Sequence, residues 1–339
     1  MKLITVIIGI VAVGAIAAGA GCIQTSGEPI DAVPSGADVV GIAYWDKMIS
    51  DSDVHALMDK FIKATGNEKY SSFDEAYADF KGEAGDKAGI DPSEISTVVF
   101  FAKIPDDMGY YGAPTPGYFG LVIEGNLDKA KIIDKIKEEQ GEEIKEETHN
   151  GVAVSIIAPG QDQEGAIAEL DNLFLFGTKD AVFDSIDAKK DGKRLTGELK
   201  DTFEYVKGNF VKVAAEIPEE IRTQMEEAPA GGAPIDVSVF GNIEYVAYGL
   251  NKEGGKFSEQ VRIITTDKSS AKDIADVIDG ATKMYKGMAP EELKEVLERY
   301  EVTQSDTTVK IDSEMTVKEI EKTIETIAAL SKSSPYGGL

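Results

Sequence analysis

At 339 residues, with 42% hydrophobic and 28% charged side chains, the chain is long enough to bury a substantial core and is not disordered. Sixty-one acidic residues against 35 basic ones give a net charge of −26, which repels phosphate backbones and argues against nucleic acid as a partner. One cysteine excludes an intrachain disulfide, and two histidines exclude a three-histidine or Cys₂His₂ metal site.

The first 22 residues read MKLITVIIGIVAVGAIAAGAGC. Lys2 is followed by an uncharged run from Leu3 to Ala20, then by small residues directly before Cys22. This is the layout of an export signal. A cysteine after small residues resembles the lipobox of prokaryotic lipoproteins, which implies lipidation at Cys22 and removal of residues 1–21. Gly19 departs from that pattern, which prefers a large aliphatic residue there. The other reading is an uncleaved helix of ~27 Å, just enough to cross hydrocarbon. Both place the remainder outside the cell, attached to the membrane through the N-terminus; a freely secreted product is a third reading, and it too lies outside. An acidic body adds no attraction to anionic headgroups of its own. Residues 23–36 lack periodicity and contain Ser, Gly and Pro, as a tether does.

Beyond the tether, 37–44 is a strand, and 53–65 and 71–84 are helical. Residues 95–104 and 118–124 form strong strands joined by a long loop. Ala130, Ile132, Ile133 and Ile136 share one face of a helix at 127–140. Strands at 142–148 and 151–158 meet at Asn150-Gly151, a strong hairpin signal. A strand at 173–176 and a helix at 179–187 complete the first half. From Asn209 the order recurs. A strand precedes a helix after Pro218, and strands at 236–249 and 256–266 meet around Glu253-Gly254-Gly255. Helices at 270–287 and 290–299 lead to strands at 300–304 and 308–315. The closing helix opens on Thr316-Val317-Lys318-Glu319, a capping box.

The recurrence predicts an α+β protein of two similar lobes, each an antiparallel sheet with helices mainly on one face. The expected divisions are signal or anchor 1–21, tether 22–36, first lobe 37–205, second lobe 206–331 and tail 332–339. LDNLFLFGTKDAVFDSID (170–187) and YEVTQSDTTVKIDSEMTVKEIEKTI (300–324) resemble an uncharacterised family of exported, membrane-anchored prokaryotic, chiefly archaeal, lipoproteins with repeated α+β modules. The resemblance implies fold and anchoring and brings no activity with it.

For chemistry, no phosphate-binding glycine loop stands between a strand and a helix, and no nucleophile elbow occurs. His149 falls in a hairpin turn and His55 early in a helix near Asp51 and Asp53. The acidic pairs Asp106-Asp107, Glu142-Glu143 and Glu219-Glu220 lack calcium-loop spacing. No catalytic, metal or cofactor-binding residue is therefore assigned. The loop 105–117 places Met108, Tyr110 and Tyr111 among Gly and Pro, a composition suited to partner contact; the other reading is that the tyrosines fold back and cover the sheet edge. The pattern implies a non-enzymatic binding or structural module of the envelope, partnered by the membrane and an envelope protein. A solute or lipid held between the lobes is the alternative, and an extracellular hydrolase a further one.

Overall fold

The computed structural model describes residues 28–66, 69–104, 117–141, 143–159, 164–226 and 237–333. Its organising element is a short central strand, β1 (Val39–Ala43), which pairs on both sides. Val40 and Ile42 supply apolar, β-branched side chains to one face, while Gly41 admits the Phe100 ring on the other: a Cβ there would lie 2.2 Å from that ring.

After β1 come α1 (Trp45–Ser50), α2 (Ser52–Thr65) and α3 (Phe73–Ala88). Strands β2 (Ile95–Ala102) and β3 (Phe119–Gly125) precede α4 (Lys129–Gln140). Two hairpins follow, β4 (Ile144–His149) with β5 (Val152–Ile157) and β6 (Gly165–Leu170) with β7 (Leu173–Thr178), then α5 (Lys179–Asp191) and α6 (Glu198–Tyr205). The second half runs β8 (Val211–Glu216), α7 (Glu219–Glu226), β9 (Ile243–Glu253), β10 (Lys256–Thr265), α8 (Lys268–Met288), α9 (Glu291–Leu297), β11 (Glu301–Ser305), β12 (Thr308–Thr316) and α10 (Val317–Ser333).

The fold is α+β and its ladders are antiparallel. Among the described residues the two lobes share one sheet of 12 strands, ordered β11-β12-β10-β9-β8-β1-β2-β3-β7-β6-β5-β4. The lobes join where β1 pairs with β8, in the register Gly41↔Val213. Outward from that seam both halves repeat an order: β1, β2, β3 and β7 on one side match β8, β9, β10 and β12 on the other. The first half inserts an extra hairpin, β4–β5.

Local signals explain the boundaries. Asp51 caps α2 by accepting from the amides of Asp53 and Val54, and Asp267 does the same for α8 through Ser269 and Ser270. The Thr316–Glu319 capping box forms reciprocally, with Thr316 N donating to Glu319 Oε2 at 2.7 Å and Glu319 N donating to Thr316 Oγ1 at 3.3 Å. Asn150 and Gly151 both take positive φ, as their hairpin requires. One strand is corrected. Residues 237–242 form a 3₁₀ turn, and β9 starts at Ile243. Gly241 lies against α7 there, so close that a Cβ would meet the Arg222 carbonyl oxygen at 2.8 Å.

Cross-strand partners point to the same side, so the register divides the sheet into two faces. The front face is the more heavily covered. Trp45 and Met48 of α1, Val54 of α2 and Ile132 and Ile136 of α4 pack there against Val98, Leu121 and Phe176, with Val317 and Ile320 of α10 beside them. Ala271 and Ile274 of α8 extend this layer over Ile263 and Val309. On the back face Ala181, Val182 and Ile186 of α5 and Leu199 and Phe203 of α6 cover Val40, Val99, Phe101, Val154 and Leu175. Each buried aliphatic or aromatic side chain of these layers contributes about 1.5–3 kcal/mol.

Candidate functional site: an open sheet face on the second lobe

Helix cover on the back face ends part-way across the second lobe. Ala247 of β9 still belongs to the core under α6, and the Lys207 carbonyl oxygen closes over Gly249. Beyond that line the end of α6 reaches β10, with Tyr205 against Arg262 and the Lys207 amide donating to Gln260 Oε1 at 2.9 Å, while Glu314 of β12 and Glu301 and Thr303 of β11 stay exposed. The sequence dictates this face: Lys256-Phe-Ser-Glu-Gln-Val-Arg-Ile alternates, so Phe257, Val261 and Ile263 go to the front while Ser258, Gln260 and Arg262 go to the back. The pairs Ser258↔Glu314, Gln260↔Asp312 and Arg262↔Lys310 place their partners on the same side. Glu301 and Thr303 of β11 complete the rows opposite Asp312 and Lys310.

The result is a shallow groove of about 470 Å³, whose lining includes Ser258, Gln260, Arg262, Glu301, Asp312 and Glu314, with Glu298 and Arg299 at its rim. Arg262 is its fixed point. The residue is 6% exposed; Nη2 donates to Asp312 Oδ1 at 2.7 Å and Nη1 to the Val261 carbonyl oxygen at 2.8 Å. Its Nε is buried without a partner. The Tyr205 ring, 51% exposed, lies 5.7 Å from the guanidinium and 5.3 Å from Lys310 Nζ. Two like charges opposite each other on neighbouring strands are unfavourable, and one aromatic face shared between them offsets part of that repulsion. At the rim, Arg299 is engaged by Glu319 and Glu298 by Lys286 at 2.8 Å.

On the front side of the same strands, the Glu259 carboxylate accepts from Tyr248 Oη at 3.4 Å, Tyr300 Oη at 3.3 Å and Ser313 Oγ at 3.3 Å. Burial, with the adjoining Glu259 charge, holds both phenols above their ordinary value. This cluster braces the strands beneath the groove.

The seam between the lobes is closed by polar as well as apolar contacts. Lys252 Nζ lies 2.6 Å from Asp51 Oδ1 and 2.7 Å from Asp53 Oδ2, and Asn209 pairs with the Lys252 backbone. Burial draws the lysine down, but the two carboxylates outweigh it and hold the amine above its usual value.

The histidines both serve as ties. His149 Nε2 lies 2.8 Å from Asp187 Oδ1, its ring stacked on Phe183 at 4.2 Å, and Asn150 and Lys193 converge on the same carboxylate. Lys193 first, against a burial penalty, and then His149 hold the Asp187 carboxyl below the usual range. His55 Nδ1 faces Asp74 at 3.0 Å and Nε2 faces the Ile49 carbonyl oxygen at 2.8 Å. Among the described residues no group of three or more His, Cys, Asp or Glu is arranged to hold a metal ion. Glu219 and Glu220 occupy the first turn of α7. No helix of the described residues is long and apolar enough to cross a membrane. Cys22, Met108, Tyr110 and Tyr111, with Asp106, Asp107 and Glu142, lie outside the described residues. Nothing in the sequence reading singled out Arg262 or Tyr205; the alternation in β10 was visible, but the reach of α6 over its polar side was not.

No family model matches the chain, and no curated protein does. Among solved structures, crystal form III of TP0453 is similar with a TM-score of 0.45 and 11% identity, covering 90% of this chain and 100% of that one. Crystal form I has a TM-score of 0.42 and 12% identity over 91% and 99% of the two chains. Crystal form IV has 0.44 and 10%, over 88% and 97%. Identity at this level assigns no residue a role.

Proposed function

We propose that this chain is a non-enzymatic binding module, held at the outer face of a membrane through its N-terminus with Cys22 as the lipidated residue. Its partner docks on the open back face of the second lobe. The observation that supports this is the unequal covering of one continuous sheet: helices α5 and α6 cover the back face of the first lobe and the seam, the end of α6 reaches Arg262 and Gln260 of β10, and Glu314, Glu301 and Thr303 of β12 and β11 stay exposed. A face of long polar side chains braced from beneath by Glu259 suits recognition of another macromolecule better than enclosure of a solute. The seam, where a small ligand between lobes would sit, holds the β1–β8 ladder and the Lys252 ion pairs. Met108, Tyr110 and Tyr111 are a second contact in this reading.

Native mass spectrometry of the protein extracted gently from its own membranes tests the proposal. The expected species is a chain beginning at Cys22 with a lipid-sized mass increment and a copurifying protein. Ser258→Arg together with Thr303→Arg should release that protein and leave the anchor. Retention of Met1 contradicts the lipid anchor, and a copurifying metabolite in place of a protein contradicts the docking role.

A further inference from the structure

The N-terminal segment enters the body against the back face of the first lobe. Residues Pro29–Ala32 form a 3₁₀ turn, and Ala32 and Val33 are buried in the same core as Val40, Val99 and Phe101. Where β1 gives way to α1, a pocket of about 180 Å³ lies between that turn and the ends of β1, β2 and β3. Its lining includes Ile42, Tyr44 and Thr97, with the acids Glu28, Asp46 and Glu124. The register explains the grouping: Ile42 pairs with Val99 and Thr97 with Glu124, and alternation puts these side chains on the back of the sheet.

The lining selects one kind of ligand. Thr97 is 6% exposed, and among the described residues its hydroxyl has no hydrogen-bond partner, so a polar atom waits at the pocket unsatisfied. The Tyr44 ring already receives an ammonium, with Lys47 Nζ 4.4 Å from its centre. Among the described residues none of the three acids forms an ion pair. Glu124 Oε2 accepts from Ser96 Oγ at 3.3 Å, and Asp46 Oδ1 accepts from the Lys47 amide at 2.7 Å. Against them stand Lys47 and, outside the lining, Lys212 of β8, which acts on Glu28 through charge without pairing with it. Three carboxylates facing two ammonium groups leave one negative charge over, enough for one monovalent cation. The described acids nowhere converge in threes as a metal ion requires, so the cation that fits is a larger one. An N–H donor suits the hydroxyl and the carboxylates, and its positive charge suits the ring.

We propose that this pocket binds a primary ammonium group on a short polar stem, as in ethanolamine, carried by a lipid headgroup or by the free amine. Glu28 stands six residues after Cys22, at most about 22 Å of extended chain, so an anchor at Cys22 keeps the pocket within reach of the membrane surface. Only the lipid source rests on that anchoring; the pocket chemistry is independent of it and of docking on the second lobe.

The test titrates the full-length chain in uncharged detergent with ethanolamine, with ethylene glycol as the neutral counterpart and sodium chloride at matched ionic strength. Nuclear magnetic resonance follows the amides of Ser96, Thr97 and Glu124. Saturating shifts are expected with ethanolamine alone. Glu124→Gln should weaken binding roughly tenfold, and Thr97→Val should weaken it as well. Lys47→Gln, at a surface position of α1, frees the Tyr44 ring and removes a competing charge, so it should tighten binding while thermal unfolding stays unchanged. Reconstitution in phosphatidylcholine vesicles, with and without phosphatidylethanolamine, separates the sources. Hydrogen exchange slowed at the same amides only with phosphatidylethanolamine assigns the headgroup; no slowing there, with ethanolamine still bound, assigns the free amine. Equal shifts from ethylene glycol or from salt overturn the proposal. So does binding that Lys47→Gln and Glu124→Gln both leave unchanged. These variants lie away from β10, β12 and β11, so their failure leaves the docking face standing, and loss of the docking face leaves this pocket standing.

Discussion

Replacing Lys252 with methionine removes a cation that joins the front of the second lobe to the start of α2. The lysine side chain is 7% exposed and that of Asp51 16%, so the pair is shielded from solvent, whereas Asp53 at 38% is free to turn outward. Methionine fills nearly the same volume, so little of the expected cost is cavity. What is lost is the partner of a buried carboxylate, a change worth about 3–5 kcal/mol when no compensation exists. Asp51 keeps two backbone amides as the cap of α2, and Asp53 reaches water, so we expect about 2–4 kcal/mol. Urea unfolding followed by tryptophan fluorescence reads this directly, because Trp45 is buried one helix away. Asp51→Asn retains a competent cap and removes the charge, so the double variant should recover about 1 kcal/mol relative to additivity. A Lys252→Met variant within about 0.5 kcal/mol of the parent would show that the ion pair does not hold the lobes together. The same conclusion would follow from a double-mutant cycle with no coupling.

Asp187→Asn should destabilise the β4–β5 hairpin against α5 by about 1 kcal/mol near neutral pH, measured by urea unfolding. The Asp187 carboxyl is depressed, so its contribution is present above the unfolded carboxylate value and lost as pH falls through its folded value; the difference between variant and parent should vanish in acid. Gly249→Ala places a Cβ 2.3 Å from the Lys207 carbonyl oxygen and should cost about 1–3 kcal/mol with looser packing of α6, read by exchange of its amides. Burial, helped by Glu216, pushes the Tyr245 phenol up to about 12. With Lys252 also raised, both groups stabilise fully below their unfolded values and lose that contribution as pH rises through their folded ones, so stability should fall above pH ~10. Ultraviolet titration that finds Tyr245 ionising with the exposed tyrosines would contradict this.

Much of the secondary structure was legible because the signals are local. The strand at 308–315, the Asn150-Gly151 turn and the Thr316–Glu319 box each rest on signals within a few residues, and each forms as expected. The end of the expected tether is corrected, because Pro29–Ala32 forms a 3₁₀ turn and Ala32 and Val33 are buried in the core, and two helices and one strand were not foreseen. β6 is a short Gly/Ala-rich strand, GAIAEL, with little β-propensity of its own, and it gains its place from Ala166↔Gly177 and Ala168↔Leu175 pairing with β7. α1 has only six residues and α6 only eight, too few for a clear period, and both are held by tertiary burial of Trp45, Met48, Leu199 and Phe203. The fusion of two lobes into one sheet was illegible for a different reason. It depends on β1 pairing with β8, and on Lys252 meeting a residue 201 positions away, and no local pattern encodes such choices. The exposed part of the back face was hidden likewise, since an alternating strand reads the same whether its polar side meets water or a partner.

If the back face of β10, β12 and β11 receives a partner protein, a photo-crosslinking residue introduced there in cells captures it. Placed at Gln260 in the groove, it should yield a discrete protein adduct. The same residue at Asp86, on α3 of the other lobe, should yield none. Equal adducts at the two positions would contradict the account, as would none at Gln260 while a protein still copurifies with the anchored chain.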